Sequence, residues 1–264
     1  MTIVLGRSID LGKVCTGPQS ARVAVGYMAE GLVATLMGAR DWTLPGFAIP
    51  SRVAEEFDRS PYSAEPDLWC DNDSSLVEVK AGIRRFYVTK RQLRSYTWIR
   101  DQGDPAKVWV YRPRVSYAFV HYELGAPVKS FDTIGSLLEA TLRSIKYILV
   151  LDSRLVEILA KEYGSWDKGS ITPLSPLLGD WAPYYRFTPS RLAPWVADPR
   201  AEMKSRGLAK KRWHVRDLKR SVSTPVGVLP SVPTLHVYPK RNHRKWEGPL
   251  MGETASLGFS DIPF

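Results

Sequence analysis

Two acids and a lysine, Asp67, Glu78 and Lys80, sit among strand-forming residues in "AEPDLWCDNDSSLVEVKAG", residues 64–82. The segment reads as a hairpin with a tight turn centred on Asn72 and Asp73, which places Asp67 directly across from Glu78. Opposed side chains in an antiparallel pair have β-carbons about 4.5–5.5 Å apart, and like charges there repel. A shared proton or a divalent cation relieves such repulsion. Alternation puts Glu78 and Lys80 on one face and Val77 and Val79 on the other, facing the core. Hard oxygen ligands of this kind suit magnesium or manganese. A cation held by two carboxylates and by substrate phosphate oxygens polarises a phosphodiester and acidifies a bound water. Lys80 is placed to orient that water or to stabilise charge developing on the phosphate. The chemistry indicated is hydrolysis of a nucleic-acid backbone. The same letters have a plainer reading, since an E-x-K triplet is also common on a solvated strand face and Asp67 could simply begin a turn.

The elements that must position these residues follow from periodicity and punctuation. "PQSARVAVGYMAEGLVATLMGA", Pro18 to Ala39, has helical spacing through Val23, Tyr27, Glu30/Gly31, Ala34 and Met37, with Gly38 near its end. "RDWTLPGFAIPSRVAEEFDRSPYS" is broken by Pro45, Pro50 and Pro61 and reads as a poor edge strand, a short helix at Val53–Asp58, and loop. After the hairpin, "TKRQLRSYTWIRDQG" reads as a helix that Thr89 caps and Gly103 closes. "AKVWVYRP" and "VSYAFVHYEL" are β-branched and aromatic, and read as strands. The order predicts a mixed α/β core of about 125 residues, an ordinary domain size.

Pro66-Asp67 followed, eleven residues beyond the aspartate, by Glu78-Val79-Lys80 resembles the signature of the PD-(D/E)XK nuclease superfamily, which includes restriction endonucleases, junction resolvases and RecB-type exonucleases. The resemblance spans residues 1–125 and implies a restriction-endonuclease-like core, a mixed central sheet flanked by helices. It implies Asp67 and Glu78 as metal ligands, magnesium as the metal with manganese as substitute, and Lys80 as the catalytic cation. In that superfamily an acid often projects from the first helix toward the metal, and Glu30 holds the matching position, with Glu55 and Glu56 as alternatives. RecB-like members carry a Q-x-x-x-Y motif on the helix after the lysine strand, and "QLRSY" supplies Gln92 and Tyr96. Spacing of four puts both on one helical face. The resemblance implies that they support the site and the DNA, although an ordinary exposed helix face has the same spacing.

Beyond Gly125 the pattern changes. "DTIGSLLEATLRSIKYILVLDSRLVEILAKEYG" reads as one or two amphipathic helices, and Ile171 to Pro199, rich in proline and aromatics, as chain without regular structure. Residues 126–264 are thus expected to form a mostly helical, basic extension that binds DNA or a protein partner. "AEMKSRGLAKKRWHVRDLKRS" concentrates charge, and Lys210, Lys211 and Arg212, with Trp213 between basic neighbours, could grip a DNA backbone or be a solvated surface. The formal charge of +10 fits an anionic partner. The apolar runs are too short to span a bilayer, and the N-terminus has no secretory pattern. Two cysteines, Cys15 and Cys70, cannot make a disulfide framework, so a reducing cytoplasm is expected. The scattered histidines His121, His214, His236 and His243 read as surface or core residues. The functional expectation is a metal-dependent deoxyribonuclease. The alternatives are a catalytically silent DNA-binding or assembly module on the same fold, and a nuclease subunit active only within a larger complex.

Overall fold

The computed structural model describes residues 3–4, 18–41, 66–70, 75–102, 114–163, 165–167, 184–208, 215–218 and 235–236. In chain order the elements are β1 (Ile3–Val4), α1 (Pro18–Met37), β2 (Ala39–Asp41), β3 (Leu68–Cys70), β4 (Ser75–Gly82), β5 (Phe86–Thr89), α2 (Lys90–Gln102) and β6 (Arg114–Tyr122). There follow α3 (Ile134–Arg143), β7 (Ile145–Asp152), α4 (Ser153–Tyr163), β8 (Ser165–Asp167), β9 (Tyr184–Phe187), α5 (Pro189–Ala197), α6 (Pro199–Ser205), β10 (Val215–Asp217) and β11 (Leu235–His236). The central sheet has six strands in the order β10-β7-β6-β4-β3-β2. Only β4 and β6 run parallel; every other neighbouring pair is antiparallel. Parallel neighbours need a crossover, and α2 lies in the connection between them.

Both faces of this sheet are covered, so β4 and β6 are buried almost throughout instead of alternating with solvent. On one face Val77, Val79, Ala118, Val120, Ile148 and Val150 pack with Ala24, Met28 and Val33 of α1 and Leu137 and Leu138 of α3. On the other, Leu76, Tyr117, Phe119, Leu149 and Leu151 pack with Leu93 and Tyr96 of α2, Leu155 and Leu159 of α4, and Trp195 of α5. The result is an α/β protein with a mixed central sheet flanked by helices. Among the described residues no helix is long and apolar enough to cross a membrane.

Several local expectations are met. Gly38 ends α1 with φ 64, a left-handed turn that glycine adopts without strain. The hairpin register pairs Leu68 with Val77, Trp69 with Leu76 and Cys70 with Ser75, the alignment a turn centred on Asn72 and Asp73 requires.

Other expectations are corrected. "YILVL" is not helical: it belongs to β7, which pairs with β6, so the central sheet continues past residue 125. β10 extends the sheet further, and the described part of the second half is therefore more than a helical extension. The proline-rich stretch also carries regular structure, because Pro189 and Pro199 open helices, where the absent N–H costs nothing. Asp198 caps the second of these by accepting from the Arg200 and Ala201 amides. That helix ends before Gly207, at φ 66, so it does not carry the basic cluster. Lys210, Lys211, Arg212 and Trp213 lie outside the described residues, as do the Val53–Asp58 helix, Glu55, Glu56, Cys15, Gly103, His214, His243 and the strand expected in "AKVWVYRP".

Candidate functional site

Register places the acids. Leu76, Glu78 and Lys80 share the α2 side of β4, and Asp67, two residues before Trp69, points to the same side of β3. The paired positions begin at Leu68, and just outside them Asp67 closes the hairpin twice: its amide donates to the Val77 carbonyl at 3.0 Å, and its Oδ2 accepts from the Val79 amide at 2.8 Å. Asp67 is thus fixed against the backbone of the strand that carries Glu78. Both acids are buried, Asp67 7% and Glu78 3% exposed.

Three donors converge on Glu78. Lys80 Nζ lies 2.5 Å from Oε1, Gln92 Nε2 donates to the same oxygen at 2.6 Å, and the Tyr96 hydroxyl donates to Oε2. Burial pushes the Glu78 carboxyl above its ordinary range and the Asp67 charge adds to this, while Lys80 and the Tyr96 hydrogen bond pull the other way. Tyr96 is itself held well above the usual phenol range, first by burial and then by the Glu78 charge, so it stays a donor.

Gln92 has a second task. Thr89 Oγ1 accepts from the Gln92 amide at 3.1 Å, and Gln92 Oε1 accepts from the Thr89 amide at 3.1 Å, a reciprocal cap at the start of α2. With its oxygen committed there, the Gln92 side chain must aim its NH2 group at Glu78. The helix cap sets the amide orientation the site uses.

The structure therefore brings Asp67, Glu78, Lys80, Gln92 and Tyr96 together. Glu30 is buried on α1, which covers the opposite face of the sheet, and among the described residues no group of three or more His, Cys, Asp or Glu could hold a metal ion. The acid pair still suits a hard divalent cation. Its donors are carboxylate oxygens, Asp67 already raises the affinity of Glu78 for positive charge, and Glu78 Oε2 accepts one hydrogen bond and so keeps a lone pair.

No family model, no curated protein and no solved structure matches the chain.

Sequence reading missed what lies just beyond Lys80. A β-carbon on Gly82 would sit 2.3 Å from the Arg85 carbonyl oxygen, so the turn from β4 into β5 closes only over glycine. His121 Nδ1 donates to the Gly82 carbonyl at 3.2 Å and its Nε2 lies 3.4 Å from Glu123, bracing that turn from β6. The turn presents Arg84 and Arg85 to solvent, with Tyr87 exposed just after them. The string "RRFY" directly after an E-x-K strand was the available signal.

The raised Glu78 carboxyl has a measurable consequence. Where the folded value exceeds the unfolded one, the contribution to stability is complete below the unfolded value, about pH 4.3 for Glu, and is lost as pH climbs through the folded value. In EDTA the melting temperature of the wild type should fall relative to Glu78→Gln as pH rises from about 4 to 8. Scanning fluorimetry checks this, and identical profiles would show that Glu78 is not the group that titrates.

Proposed function

We propose that the protein is a metal-dependent nuclease with a restriction-endonuclease-like core of the PD-(D/E)XK type. The observation that carries this reading is the buried Asp67–Glu78 pair with Lys80 Nζ 2.5 Å from the glutamate, on adjoining strands of a sheet whose next parallel strand follows a helical crossover. Asp67 and the remaining lone pair of Glu78 would hold magnesium, with manganese as substitute. A cation bound there supplies Lewis acidity toward a phosphodiester and lowers the pKa of a water. Lys80 orients that water or meets charge developing on the phosphate. Gln92 and Tyr96 hold the Glu78 carboxylate in one orientation, so little reorganisation is needed when substrate arrives.

Purified protein, incubated with linear, circular, single-stranded and branched DNA, tests the proposal directly. Cleavage is expected with magnesium or manganese and is expected to fail in EDTA. Calcium should support DNA binding without efficient turnover, since its looser shell positions water poorly. Absence of cleavage on all four substrates with either metal would favour a silent DNA-binding or assembly module.

A further inference from the structure

We infer that the surface formed by the β4–β5 turn and the β5–β9 ribbon binds single-stranded DNA, through Arg84 and Arg85 on the phosphates and Tyr87 stacked on a base. The inference deepens the nuclease reading by naming the substrate class, and it rests on that reading for the use made of the strand. Tyr87 is 41% exposed, and among the described residues only Val23 shares its standing as a large exposed hydrophobic side chain. Its neighbours Phe86 and Val88 point inward, and across the ribbon it faces Arg186 on β9. Arg84 and Arg85 are exposed, and among the described residues neither is paired with a carboxylate.

Unpaired guanidinium groups match the fork geometry of phosphate oxygens, and an exposed ring offers a stacking face to any base. In a duplex the base faces are already stacked on one another, so a tyrosine ring gains little; in a single strand they are available. Position joins this surface to the acid pair. Gln92 bonds Glu78 through Nε2 and the Thr89 amide through Oε1, and Tyr87 lies two residues earlier on the strand that Thr89 ends. At about 3.3 Å per strand residue, Tyr87 lies about 7 Å along β5 from Thr89, whose amide Gln92 ties to Glu78.

The test is fluorescence anisotropy in EDTA with the full chain, using a labelled oligothymidylate and a blunt duplex of equal length. The wild type should bind the oligothymidylate more tightly than the duplex. Tyr87→Ala should weaken that binding roughly tenfold, while Tyr87→Phe keeps it, because the ring and not the hydroxyl stacks. Replacing Arg84 and Arg85 with alanine should make the slope of log affinity on log salt shallower by about 1.4, at roughly 0.7 per single-strand phosphate. Wild-type affinity in Tyr87→Ala, or a preference for the duplex, overturns the inference. Without metal nothing is cut, so the two readings fail separately. Tyr87-dependent binding with no cleavage in magnesium keeps this surface and overturns the nuclease. Cleavage with binding indifferent to Tyr87 does the reverse.

Discussion

Asp67→Asn should lose DNA cleavage by a hundredfold or more while the fold stays intact. The amide oxygen of asparagine can still accept from the Val79 amide, as Oδ2 now does at 2.8 Å, so the hairpin keeps its closure. What disappears is the charge facing Glu78, and with it half of the electrostatic demand for a cation. Lys80→Ala should be as severe for another reason. Its ammonium is one of the groups holding the Glu78 carboxyl down, so removing it lets the acid keep its proton to a higher pH and also removes the cation proposed to meet the phosphate. The measurement is the rate on a cleavable DNA in magnesium, with circular dichroism to verify folding. Folded Asp67→Asn cutting at the wild-type rate would end the assignment of these residues.

The second large effect concerns where the folding unit stops. A chain ended at residue 125 should not fold, because it lacks β7, whose Leu149, Val150 and Leu151 are fully buried against β6. Such a fragment would expose Tyr117, Phe119 and Val120 together with a long unpaired strand edge. Each buried side chain of this size contributes about 1.5–3 kcal/mol, and a whole domain is stable by only about 5–15 kcal/mol. The milder variant Leu149→Ala should fold but lose about 2–5 kcal/mol. Denaturant melts of both proteins check the pair. A cooperative melt of the 1–125 fragment would place the boundary where composition alone suggested it.

What could be read in advance was local. The hairpin register depends on a turn a few residues long, and pairing Asp67 with Glu78 needs only alternation. Thr89 could be recognised as a cap because it stands three residues before Gln92, although the second bond from Gln92 to Glu78 joins elements that periodicity treats one at a time. β7 was missed for a definite reason. "IKYILVLD" is buried on both faces and shows no period of two, and a short apolar run between helical patterns cannot be told from a buried helix by periodicity. Its β-branched content and its length of eight were the better guides. In the proline-rich stretch, residues that usually interrupt structure serve as first residues of helices.

The parallel pairing of β4 with β6 sets an order of events during folding. Asp67 and Glu78 belong to one hairpin and meet after the closure of a very short loop, whereas Gln92 and Tyr96 reach Glu78 only once the crossover has docked α2 on the sheet. Contacts that join distant parts of a chain form late, because the entropy of closing the loop comes before any gain from the contact. A chain in which only the hairpin had formed would hold the two acids facing each other, with only the neighbouring lysine to offset their charge. The orientation of Glu78 by Gln92 and Tyr96 is completed only when α2 docks, and a chain halted at the hairpin stage holds the acids without the helix that orients them.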